Sequence, residues 1–156
     1  MDKAIIDLDA VTRSDPTYRD SLTLLGRAYY NKGNYEISRQ ILQRAVLVNN
    51  EDEIAWLTLG LAQLQLGEDE KGFETLQGAI TLVSKVSRFG YRNFPEWDNK
   101  GLVRTYIARS VIELRKGPEA KTSVIRNCET VLVRMDEEEN YQRNLVNFHR
   151  RNDYAP

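Results

Sequence analysis

The chain has 156 residues, a formal net charge of −1, and 41% apolar and 29% charged residues, which suits a single globular domain with a buried core. The near-neutral balance gives no electrostatic reason to expect nucleic acid or anionic lipid as a partner. No apolar run reaches the roughly 18 residues that cross a bilayer, so direct membrane insertion is not expected. The acids inside "MDKAIIDLDA" speak against a signal peptide. Cys128 is the only cysteine, which excludes an internal disulfide, fits a reducing compartment and makes the cytoplasm the expected location.

The first predicted element covers residues 2–16, and its assignment rests on a repeat that emerges further along. After it, Leu22, Leu25 and Tyr29 recur at spacings of three and four, an amphipathic helical face. "NKGN" stops that helix, because Gly33 can take the left-handed conformation favoured at a helix end. A second helix carries Ile37, Ile41, Leu42, Ala45 and Val48 on one side. The pattern then returns as Trp56 and Leu59, the turn "LGED", and Phe73, Leu76, Ala79, Ile80 and Val83.

The two segments align without a gap when thirty-four is added to the first. Leu25, Gly26, Ala28 and Gly33 meet Leu59, Gly60, Ala62 and Gly67; Glu36, Leu42, Gln43 and Ala45 meet Glu70, Leu76, Gln77 and Ala79. Such a period marks stacked supersecondary units. Gly26 and Gly60 fall inside helices, where glycine costs about 1 kcal/mol relative to alanine. The same cost in both copies predicts that a neighbouring helix crosses too closely for a side chain. Ser38 and Gly72, and Ala45 and Ala79, are small for the same reason.

The pattern resembles the tetratricopeptide repeat family over residues 19–85. That family has a thirty-four-residue helix–turn–helix with a bulky residue, Leu-Gly, Tyr, a turn Gly, two small positions and a Pro. Leu22 or Trp56, Leu25-Gly26 or Leu59-Gly60, Tyr29, Gly33 or Gly67, and Ala45 or Ala79 match it. Gln63 departs at the second Tyr position, and Asn50 and Ser84 stand where Pro is usual. The resemblance implies an all-α fold, a right-handed superhelical solenoid of helix–turn–helix repeats, in one domain spanning residues 1–156. Residues 19–52 and 53–86 are its repeats. Stepping the register back sets Ala4, Leu8, Val11 and Pro16 against Ser38, Leu42, Ala45 and Asn50. Residues 2–16 therefore read as the second helix of a partial repeat, so that the chain starts mid-repeat. Ile5, Ile6 and Leu8 are at risk on an uncapped end.

Past residue 86 the register breaks. Residues 87–97 form an aromatic insertion with Phe89, Tyr91, Phe94 and Trp97 beside Arg88 and Arg92. This is the composition of an interface hot spot or of a loop pinned by its own side chains. Residues 98–135 read as a divergent helix pair. Its first helix carries Leu102, Tyr106, Ile107, Val111 and Leu114; its second carries Val124, Cys128, Val131, Leu132 and Met135. Pro118 in "KGPE" suits the opening turn of the second. Residues 136–150 extend that helix, or form a short terminal one, through Tyr141, Leu145 and Phe148.

No catalytic constellation emerges, and the chain is expected to be no enzyme, with no cofactor and no metal. His149 is the only histidine, and no spacing pairs it with Cys128, which reads as a buried small hydrophobe. The four acids 136–139 are consecutive, so a helix spreads them around its circumference, away from any common metal. Glu139 and Arg143 are spaced for a helical ion pair. No glycine-rich segment ends in the Lys-Ser/Thr of a phosphate loop. Arg104, Arg109 and Arg115 are balanced by acids in the sequence, so RNA binding is not expected.

Recognition remains. The resemblance implies that the first helix of each repeat lines a concave groove holding a protein or peptide. The corresponding positions are Asp20, Thr23, Arg27, Tyr30 and Asn31, then Ile54, Leu57, Leu61, Leu64 and Gln65. Thr23, Arg27, Thr58 and Leu61 stand where relatives that read acidic chaperone tails carry a Lys and Asn carboxylate clamp, so that activity is not expected.

Ile54, Leu57, Leu61 and Leu64 add a second apolar stripe to the one made by Trp56 and Leu59. A helix apolar nearly all round demands cover on nearly all sides. Three covers are open: the chain's own insertion or C-terminal helix, a second copy, or a foreign helix or peptide. The resulting expectation is a non-enzymatic interaction scaffold. Its partner-binding face is Arg27, Tyr30, Asn31, Ile54, Leu57, Leu61 and Leu64, with Tyr91, Phe94 and Trp97 at the rim. The alternative is a self-assembling module, a homo-oligomer formed through the open N-terminal end or the apolar groove.

Overall fold

The computed structural model describes residues 21–89 and 96–153, with side chains over 21–85 and 96–145, together with Lys3 and residues 5–7 near the N-terminus. The described residues are all-α, without a strand: α1 (Ser21–Asn31), α2 (Tyr35–Val48), α3 (Glu53–Gln65), α4 (Asp69–Phe89), α5 (Leu102–Lys116) and α6 (Lys121–Asp153). Consecutive helices pack on one another, and α6 also lies along α3.

The repeat seen in the sequence recurs as a repeated set of physical solutions. At the end of α1, Gly33 adopts φ +80°, and at the end of α3, Gly67 adopts φ +82°. The Gly33 and Asn34 amides donate to the Tyr30 and Tyr29 carbonyls at 2.9 and 3.0 Å. Thirty-four residues on, the Gly67 and Glu68 amides donate to Leu64 and Gln63 at 3.1 and 2.9 Å. Left-handed glycine thus satisfies the orphan carbonyls of both helix ends in the same way. The following helices start on side-chain caps. Asn34 accepts from the Ile37 amide, and Asp52 accepts from the Ala55 amide at 3.0 Å and from the Thr23 hydroxyl at 2.6 Å.

The helical glycines mark close crossings, as their matched positions imply. A Cβ on Gly26 would lie 2.5 Å from Leu42, and one on Gly60 would lie 2.7 Å from Leu76. Leu42 and Leu76 are themselves a repeat pair. At the next small position, Ser38 donates its hydroxyl to the Gly26 carbonyl at 2.7 Å. Its counterpart Gly72 leaves room only for Leu64.

Beyond the repeats, α4 runs on to Phe89. A corner at residues 96–100 then turns the chain into α5. Asp98 sits there at φ +54° with almost no exposure. Its carboxylate accepts from the Val103 and Arg104 amides at 2.9 and 3.0 Å, capping α5. Helix α6 reaches across to hold this corner. The Asp98 amide donates to Glu138 at 2.8 Å, and Gln142 donates to the Glu96 carbonyl at 3.2 Å.

Gly117 at φ +86° ends α5, and Pro118 opens a 3-10 turn into α6. Helix α6 then continues unbroken through the 136–150 segment. Val124, Cys128, Val131, Leu132 and Met135 bury its first half in the main core with Leu57, Leu61, Leu64, Leu76, Val103 and Ile107. A smaller cluster joins Leu22, Leu42, Ala45, Val46, Ala55 and Leu59 between the repeats. Near the N-terminus Ile5 is buried while Ile6 is half exposed; Leu8 lies outside the described residues.

Candidate functional site

Helix α3 has an apolar surface on every side. Ala55 and Leu59 face the repeat interface, and Leu57, Leu61 and Leu64 face away from it. These three leucines have no solvent exposure. They share their cluster with Phe73, Leu76 and Ile80 of α4 and with Val124, Cys128, Val131 and Met135 of α6. Of the three covers that the sequence leaves open, the described chain supplies its own C-terminal helix.

Polar side chains at the groove edge engage the same helix. Arg27 makes a paired contact with Asp136, its two terminal nitrogens lying 3.0 and 2.6 Å from the carboxylate oxygens. This bidentate fork fixes orientation as well as charge. Tyr30 donates its hydroxyl to Glu129 at 3.1 Å and accepts from Gln65 at 3.3 Å. Burial, reinforced by the Glu129 carboxylate, pushes the Tyr30 phenol well above its ordinary value. Its ring packs against Tyr35 at 5.1 Å between centroids, tilted by 56°. Arg27 and Tyr30, both expected to meet a partner, thus bind the chain itself. Asn31 is exposed at the end of α1, and Ile54 is half-buried. Trp97 is buried rather than held out at a rim. Tyr91, Phe94 and Asp20 lie outside the described residues.

At the mouth of the groove a cleft of about 810 Å³ remains. It brings together Arg27, Ile54 and Trp97 with Leu24, Met135 and Glu139. Leu24 is 45% exposed on its wall. The cleft therefore unites three of the ten candidate residues with a solvent-facing apolar side chain. Asp136 and Glu139 on its α6 side are tied to Arg27 and Arg143.

The four consecutive acids go four separate ways: Asp136 to Arg27, Glu137 to Arg134, Glu138 to the Asp98 amide and Glu139 to Arg143. Among the described residues no acid, His or Cys cluster could hold a metal ion, and no helix is long and apolar enough to cross a membrane. Cys128 is fully buried, and desolvation pushes its thiol up to about 12. A thiol so protonated and enclosed is a poor nucleophile.

Glu129, Asp136, Glu138, Gln142 and Asp98 had no signal of their own in the sequence. Only the surplus apolar face of α3 announced that something must cover it. The family model for the tetratricopeptide repeat matches residues 20–52, and the chain carries a repeat of that family there. Neither a curated protein nor a solved structure matches the chain. Tetratricopeptide repeats mediate protein–protein interaction and are typically non-enzymatic scaffolds.

Proposed function

We propose that the chain is a non-enzymatic scaffold that binds a segment of another protein through the cleft at the groove mouth. The carrying observation is the division of the concave side. Its apolar stripe is covered by α4 and α6, while the cleft beside it keeps Leu24 and Ile54 within reach of an incoming segment. Peptides selected by display on the full chain and then titrated in solution test this. Leu24→Asp is expected to weaken the selected peptides about tenfold, the range of an interface anchor, with an unchanged melting temperature. Undiminished binding to Leu24→Asp contradicts the reading.

A second reading, self-association, is favoured by a separate observation. Leu47 is 85% exposed, and Val48 and Ile6 are each 50% exposed. Under it, mass by light scattering rises with concentration and Leu47→Lys restores the monomer. A constant monomeric mass rejects it.

A further inference from the structure

The outer side of α5 has a chemistry of its own. Val103, Ile107, Ser110 and Leu114 turn inward and are buried. Arg104, Arg109, Ile112, Arg115 and Lys116 are exposed on the other side. The acids along the sequence balance Arg104 in space but not Arg109 or Arg115. Residues 99–134 hold eight Lys or Arg against three Glu, and Asp69, from outside that span, pairs with Lys121. Of those three, Glu113 is engaged by Lys116 and Glu129 by Tyr30. Arg104 leans back on Asp98, and Arg134 on Glu137. Among the described residues no carboxylate pairs with Arg109 or Arg115.

Arg109 is nevertheless held in place. Its guanidinium lies over the Tyr106 ring at 4.9 Å, and that of Arg134 lies over the same ring at 5.5 Å. Stacking on an aromatic face removes part of the ordering cost that a free arginine meets on binding. Ile112, at 54% exposure, stands three residues from Arg109 and three from Arg115, spacings that make all three neighbours on one helical surface. The result is an apolar spot flanked by two unpaired guanidiniums, one of them preorganised.

We propose that this face of α5 docks an acidic, amphipathic segment of another protein, with carboxylates on Arg109 and Arg115 and an aliphatic side chain on Ile112. Charge complementarity selects the occupant. A nucleic acid would need an open stacking platform, and Tyr106 is half-buried and taken up by two guanidiniums. A helix lying in a membrane surface needs a broad apolar face, and here one isoleucine stands among cations. The surface shares no residue with the groove-mouth cleft and does not depend on it.

The test is titration of the full, isotope-labelled chain with a synthetic Glu-rich peptide carrying leucines at helical spacing. Its Gln counterpart, phosphatidylserine vesicles and a single-stranded oligonucleotide run alongside. Amide shifts are expected to concentrate in α5, and affinity to fall as salt rises. Arg109→Gln with Arg115→Gln is expected to weaken binding about tenfold, the loss of two exposed charge pairs. Ile112→Ser weakens it as well, and Leu24→Asp leaves it unchanged. The proposal is overturned by no binding, by shifts outside α5, by indifference to these substitutions, or by tighter binding to vesicles, oligonucleotide or the Gln peptide.

Discussion

Single residues decide how closely the repeat helices approach. A Cβ on Gly60 would meet the Leu76 side chain at 2.7 Å and its backbone nitrogen at 3.2 Å. Gly78, on the exposed side of α4, has nothing within 4 Å. Gly60→Ala is therefore expected to destabilise by about 1–3 kcal/mol through overpacking. Gly78→Ala should stabilise by about 0.5–1 kcal/mol, because it removes backbone freedom from the unfolded chain without a clash. Urea melts of the two variants decide the matter, and equal effects would contradict the close crossing.

Two further residues are expected to weaken the fold at alkaline pH. Cys128 and Tyr30 are both held protonated by burial. The folded chain keeps protons that the unfolded chain releases near their ordinary values of 9.0 and 10.0. The cost is absent below about pH 9 and grows as pH rises from there towards 12. Urea midpoints measured up to about pH 11 should decline from pH 9 upward, and Cys128→Ala should remove the earliest part of that decline. A profile as steep in Cys128→Ala as in the parent chain would contradict the assignment.

At the scale of elements, α3 and α6 carry most of the meaning. Because α3 is enclosed, Leu61 belongs to the core and not to an open groove wall. Leu61→Ala is expected to cost about 2–5 kcal/mol. Leu61→Glu, which buries a charge without a partner, should leave the chain unfolded in a circular dichroism spectrum. A folded, stable Leu61→Glu chain would return the stripe to solvent. The repeat helices were legible in the sequence because their determinants are local. Gly33 and Gly67, the Leu42 and Leu76 that meet Gly26 and Gly60, and the three-and-four spacings all lie within one thirty-four-residue period. The contacts that close the groove are not local. Arg27 meets Asp136 across 109 positions, and Tyr30 meets Glu129 across 99. No periodicity connects such pairs, so Arg27 and Tyr30 could be placed on the concave side but not matched to their partner. Trp97 was misplaced for a related reason. Its corner is organised by Asp98, Glu138 and Gln142, which only the returning α6 brings together.

The described residues form a stack of helices in which α6 packs back against α3. The first half of α6 is bound by apolar packing. Among residues 136–145, Gln142 alone is buried, and the contacts there are chiefly hydrogen bonds and ion pairs. Exposed pairs of that kind contribute little each, about 0.2–1 kcal/mol, so α6 is anchored by its core half and oriented by its polar half. This arrangement leaves two surfaces with different characters, the groove-mouth cleft and the cationic face of α5. A partner that fits one has no reason to fit the other.

Helix α6 shares the core of α3 and is an integral layer of the fold. Native-state hydrogen exchange followed residue by residue is the decisive measurement. Amides of residues 124–135 are expected to share the protection of residues 57–64 and to exchange only through global unfolding. Early exchange of α6 while α3 stays protected would contradict the claim and would make the groove an open site with a detachable cover.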